Sequence, residues 1–135
     1  MSHSLLSNQV VAVIGLGYVG LPLALAFGRA LPTIGFDISE SKLSAYRKGV
    51  DPTGEMETDA FKLSTNLLFT SHAPDLAQAD FLVIAVPTPI DNAKQPDLTP
   101  VIAATRMIAP YLKQDVVIIY ESTVYPGVTE DVCAP

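Results

Sequence analysis

The chain has 135 residues, enough for one domain with a core of its own, and 49% of them are hydrophobic with a mean hydropathy of +0.35, a composition suited to a parallel sheet buried on both faces. A formal net charge of −6 argues against nucleic-acid binding, and a single cysteine excludes an internal disulfide and points to a reducing cytoplasm. No apolar stretch approaches the roughly 20 residues that span a bilayer, and the polar start Met1-Ser2-His3-Ser4 lacks the basic region of a secretory leader, so neither membrane insertion nor export is expected.

The first predicted element is an apolar strand over residues 10–14, which empties into Gly15-Leu16-Gly17-Tyr18-Val19-Gly20 and then into a helix over 20–31. Strand, G-x-G-x-x-G and helix in this order form a dinucleotide-binding signature. Gly15 lets the chain turn sharply off the strand, Gly17 lets the backbone approach a pyrophosphate, and Gly20 lets the helix press against the sheet. The phosphates then meet free N–H groups and the positive end of the helix. Leu21, Ala24, Leu25 and Gly28 recur at helical spacing as a narrow packing face, and Pro22 lies in the first turn, where no N–H is missed. A second strand, 33–36, ends in Asp37, 17 residues after Gly20. That carboxylate is placed to accept both hydroxyls of an adenosine ribose and to repel a 2′-phosphate, which favours NAD over NADP. The competing reading is a βα turn whose glycines serve packing alone.

A helix over 39–48 follows, and then residues 50–64, the least regular segment, where Asp51, Glu55, Glu57 and Asp59 read as a solvated face. Thr58 is a candidate cap for a short helix over 59–62. No His or Cys joins these carboxylates and their spacing is not that of a calcium loop, so no metal is expected. Next come a strand over 67–70, a short helix over 74–78 and a strand over 81–86. The last runs into Val86-Pro87-Thr88-Pro89, two prolines that hold an extended backbone and leave Thr88 to face a ligand or to satisfy itself within a stiff loop. A polar loop over 91–99 holds Asp91 and Lys94, and a helix over 100–112 leads to a fifth strand over 116–120. Glu121, Ser122 and Thr123 follow that strand, where paired hydroxyls can reach a nicotinamide ribose or form an ordinary turn. Residues 126–131 read as a helix start. No residues remain for the sixth strand of a complete dinucleotide fold, so a piece of a longer protein is expected. The alternation predicts an α/β fold, a doubly wound parallel sheet with right-handed crossovers, in which ligands gather beyond the carboxyl ends of the strands. His3, His72 and Glu121 are weaker candidates for chemistry, and Tyr18 reads as a packing residue of the turn.

Three motifs, Gly15 to Pro22, Val86 to Pro89 and Ser122-Thr123-Val124 with Pro126-Gly127 and Thr129-Glu130, together resemble the UDP-glucose/GDP-mannose dehydrogenases. These oxidise the C6 hydroxyl of a nucleotide sugar to a carboxylate with two NAD. Gly49-Val50-Asp51 with Thr53 and Glu55, together with Gln95-Pro96-Asp97-Leu98 and Tyr125, is similar to the branch acting on UDP-N-acetylhexosamines for bacterial capsule or O-antigen. The resemblance implies that backbone around Tyr18 and Val19 holds the pyrophosphate, that Asp37 holds the ribose, and that Lys42 closes over the adenine side. Val86, Pro87, Thr88 and Ser122 would lie along the nicotinamide half, with Thr123 helping to position a catalytic water or proton. It further implies a UDP-sugar substrate, a homo-oligomer for the full-length protein, and a nucleophilic cysteine in a distal substrate domain. Cys133 lacks the glycine-flanked setting of that nucleophile and has acids upstream, which oppose a thiolate, so these residues alone are expected to bind cofactor without turnover. Two other readings share the glycine turn: a nucleotide-sensing regulatory module and another NAD-dependent dehydrogenase, such as a 3-hydroxyacid enzyme.

Overall fold

The structure, a computed structural model, describes residues 9–54, 56–86 and 99–121. Five strands, β1 (Val11–Ile14), β2 (Thr33–Phe36), β3 (Leu67–Thr70), β4 (Phe81–Ile84) and β5 (Val117–Tyr120), pair in parallel in the order β3-β2-β1-β4-β5. The chain winds outward from β1 to β3, then returns to β4 on the other side of β1. The carboxyl ends of β1 and β4 therefore mark the point where strand order reverses, the usual ligand crevice of an open α/β sheet.

Side chains alternate across a strand, so each face of β1 builds its own core. Val11 and Val13 join Leu21 and Leu25 of α1 (Gly20–Phe27) and Leu43 and Tyr46 of α2 (Glu40–Arg47). Ala12 and Ile14 join Ile34, Leu82, Ile84 and Ile108, the last from α4 (Thr99–Ile108). A short helix, α3 (Thr58–Leu63), and two 310 segments, Ala73–Gln78 and Ala109–Tyr111, complete the described elements.

Where boundaries differ from the sequence reading, local chemistry accounts for it. Helix α1 stops at Phe27 rather than 31 because its last turn tightens: the Arg29 and Ala30 N–H groups reach back only three residues, to the Ala26 and Phe27 carbonyls at 3.3 and 3.1 Å, and the Gly28 carbonyl, whose place in the ladder falls on Pro32 with no N–H, accepts from the Asn66 N–H at 2.9 Å. Helix α4 gives way at Ala109 to a 310 turn because Pro110 brings no N–H and its ring crowds the preceding turn. Strand β4 ends at Ile84 rather than 86, since its partner β1 ends at Ile14 and offers no further ladder. Glu57, not Thr58, stands at the cap position of α3, and its side chain makes no capping bond.

At the amino ends of the strands, Asp80 accepts from the Val10 N–H at 2.8 Å and pairs with Lys113. At the opposite border of the sheet, Arg47 donates to the Phe69 carbonyl of β3 at 3.1 Å and lies 3.5 Å from Glu40.

Candidate functional site

The glycine turn is built by three different constraints. Gly15 has φ +91°, a conformation L side chains rarely adopt, and a Cβ there would lie 2.9 Å from Val86 Cγ1. At Gly20 a Cβ would lie 1.6 Å from the Gly15 carbonyl oxygen, so only glycine lets α1 start this close to the strand end. At Gly17 an added Cβ meets nothing within 4 Å, which leaves open space above the backbone. Between them Leu16 is anchored on all sides. Its side chain is fully buried, its N–H donates to Asp37 Oδ2 at 2.9 Å, and its carbonyl accepts from the Tyr46 hydroxyl at 2.8 Å.

The start of α1 has no side-chain cap at Val19 and no acid in its first turn. Leu21 N–H returns to Gly17 O at 3.1 Å and Leu23 N–H to Val19 O at 3.3 Å, while the N–H groups of residues 17–20 donate to no acceptor among the described residues. Pro22, third in the helix, has no N–H to satisfy. These are the conditions under which a helix N-terminus receives an anion.

Asp37 stands at the carboxyl end of β2, 9% exposed. Oδ2 takes the Leu16 N–H, Oδ1 takes the Ser39 N–H at 2.9 Å, and Lys42 Nζ lies 3.8 Å from Oδ2. A carboxylate has about four acceptor directions, so this pair of amides orients the group and leaves room for hydroxyl donors. Ser39 Oγ caps α2 by accepting from the Lys42 N–H at 3.4 Å. Burial pushes the Tyr46 hydroxyl above its ordinary value, and the negative charges of Asp51 and then Asp37 push it further, so the phenol remains a proton donor.

Glu57 and Asp59 are exposed as their solvated reading expects, but Asp51 is not: it is 9% exposed, and its carboxylate gathers the Thr53 N–H and hydroxyl at 3.0 and 2.8 Å and the Met56 N–H at 2.9 Å. The turn it organises brings Thr53 and Met56 to the site. Asp51-Pro52-Thr53-Gly54 carries the local signal for such a turn, a short acid with N–H groups two residues on. Tyr18 also departs from expectation. Its side chain is 76% exposed, and the inward packing of the turn falls to Leu16 instead.

These residues border one cleft of about 860 Å³ above the carboxyl ends of the strands, within the range of small-molecule and cofactor sites. Gly15, Gly17, Tyr18, Val19, Asp37, Lys42 and Val86 all line it, and Gly20 buttresses the turn from behind. Tyr46, Asp51, Thr53 and Met56 on one side and Pro100, Met107 and Glu121 on the other line it too; none of these had been assigned to a cofactor site. Pro87, Thr88, Ser122 and Thr123 lie outside the described residues, as do Asp91, Lys94 and Cys133. Among the described residues, no group of three or more His, Cys, Asp or Glu side chains stands where it could hold a metal ion, and no helix is long and apolar enough to cross a membrane.

Comparison with known proteins agrees with this geometry. The model of the UDP-glucose/GDP-mannose dehydrogenase family, NAD binding domain, matches residues 9–135. The chain belongs to this family. Protein CapL of Staphylococcus aureus is 48% identical over 128 residues, 95% of the chain and 30% of that protein. The UDP-N-acetyl-D-glucosamine 6-dehydrogenase of Pseudomonas aeruginosa is 48% identical over 125 residues, 93% of the chain and 30% of that enzyme. The GDP-mannose dehydrogenase of Pseudomonas aeruginosa, solved as a ternary complex, superposes with a TM-score of 0.83 at 25% identity, covering 91% of the chain and 30% of the solved one. The chain thus spans about 30% of the length of the curated relatives it matches, and the part matched is the family's NAD-binding domain.

Proposed function

We propose that the cleft holds NAD and that the chain serves, within a longer protein, the oxidation of the C6 hydroxyl of a UDP-N-acetylhexosamine to the uronic acid for surface polysaccharide. The name of the Pseudomonas aeruginosa relative, a UDP-N-acetyl-D-glucosamine 6-dehydrogenase, supports the substrate class. The observation that carries the cofactor assignment is the uncapped start of α1 beside the carboxylate of Asp37, both in one cleft at the strand-order reversal. The open space over Gly17 suits close approach of a pyrophosphate, whose charge the N–H groups of residues 17–20 and the positive end of α1 receive. Asp37, oriented by the Leu16 and Ser39 amides, takes the ribose hydroxyls and disfavours a 2′-phosphate, and Lys42 closes the adenine side.

When bound, NAD supplies the hydride acceptor. Val86, Pro87, Thr88 and Ser122 are assigned to its nicotinamide half and Thr123 to positioning a water or proton. The family's thiol chemistry is assigned to a cysteine other than Cys133, so the 135 residues on their own bind cofactor without turning over substrate. A homo-oligomer in the cytoplasm is the proposed setting, and a single cysteine suits a reducing compartment.

Titration calorimetry of Asp37→Ala tests this reading. Loss of a charged acceptor for the ribose should weaken NAD binding about tenfold or more, while NADP, already opposed by that charge, loses less. The ratio of the two affinities is the deciding quantity because any loss of folded protein lowers both alike. An unchanged ratio removes Asp37 from its role.

A further inference from the structure

The dinucleotide turn is held from below by a residue outside both the glycine motif and the strand-end acid. Tyr46, on the inner face of α2 and almost fully buried, donates its hydroxyl to the Leu16 carbonyl at 2.8 Å across 30 residues of sequence. Its ring is fixed by Phe61 and Phe69, with centroids 6.0 and 5.5 Å away, so the hydroxyl has little freedom to follow a moving loop. In a trans peptide the carbonyl and the next N–H point in opposite directions. Pinning Leu16 C=O toward Tyr46 therefore aims the Gly17 N–H away from α2. The next carbonyl, Gly17 O, is held by the Leu21 N–H. Both carbonyls bracketing Gly17 are thus engaged by the protein, and the amides of residues 17–20 are the ones left for a ligand.

We infer that Tyr46 is a positioning residue for the pyrophosphate: through the Leu16 carbonyl it presets the peptide planes of the glycine turn so that their N–H groups converge on the diphosphate of a dinucleotide. This rests on the NAD reading above. Burial and the neighbouring carboxylates of Asp51 and Asp37 keep the phenol protonated, so the donor persists through the physiological range.

The test compares Tyr46→Phe with the unaltered full chain against two ligands, ADP-ribose, which carries the diphosphate, and adenosine, which does not. Phenylalanine keeps the ring contacts and removes only the donor. ADP-ribose affinity should fall about five- to tenfold, the effect of one hydrogen bond, while adenosine affinity changes less than about twofold on the same scale. The ratio is informative even if the variant is partly unfolded, because both ligands draw on one folded population. Equal losses for the two ligands, no loss for either, or a variant that does not fold would assign the hydroxyl to general stability and overturn the inference. If the unaltered chain binds neither NAD nor ADP-ribose, the NAD reading itself fails, an outcome distinct from these.

Discussion

A methyl group added at Gly17 meets nothing within 4 Å, whereas at Gly20 it would sit 1.6 Å from the Gly15 carbonyl oxygen. The two positions of one motif therefore separate binding from folding. Gly17→Ala should leave the thermal midpoint within a degree or two of the parent while weakening NAD affinity about tenfold, because the new Cβ occupies space the pyrophosphate needs. Gly20→Ala should lower stability by more than about 3 kcal/mol in urea denaturation, since the strand end or α1 must move to relieve the overlap. A Gly17 variant that melts early, or a Gly20 variant that does not, would reverse the assignment. The glycine turn and the strand-end position of Asp37 were legible because both depend on spacing along the chain. Tyr46 was not, because its partner lies 30 residues away and a tyrosine on a helix's inner face looks like any other core residue. Asp51 lay between these cases: its turn signal was local, but an acid among other acids was read as solvated.

At the scale of elements, β2 and β3 fall on the residues that hydrophobic patterning marked, and β1 and β5 start one residue late. The misplaced ends have two causes. The tightened last turn of α1 and Pro110 at the end of α4 act locally, whereas β4 stops because a partner distant in sequence, β1, runs out beside it. Periodicity reports which face a residue belongs to, and it carries no information about where a neighbouring element stops. The connection into β5 holds one residue at odds with its backbone: Asp115 has φ +68°, the left-handed region. Replacing it with glycine removes the Cβ conflict and should raise stability by about 0.5 kcal/mol, the larger steric relief being partly offset by the greater freedom of an unfolded glycine. A urea midpoint that falls instead would mean that the aspartate side chain contributes more than its conformation costs.

The whole sheet is tied at its amino end by Asp80, which joins β1 through the Val10 N–H and the segment before β5 through Lys113. The hydrogen bond from Lys113 holds the Asp80 carboxyl below its ordinary range, and the Val10 amide lowers it further. A carboxyl depressed on folding stabilises the native state above its unfolded pKa, and the contribution disappears as pH drops through the lower folded value. Stability should thus decline below about pH 4, and Lys113→Met should flatten that decline while costing at most about 1 kcal/mol at pH 7, as befits a partly exposed pair. Denaturation midpoints for both proteins at pH 7 and pH 3 would show it, and parallel losses would deny Asp80 the role. At this scale the doubly wound architecture was readable from the alternation of elements, whereas the left-to-right order of the strands emerged only in three dimensions.

The guanidinium of Arg47 rests on the outward carbonyl of Phe69, along the one edge of β3 that β2 does not cover. A foreign strand seeking to extend the sheet there must first displace a charged group from the acceptor it needs, and then leave that charge facing its own backbone. The charge thereby discourages strand addition at the border next to β3.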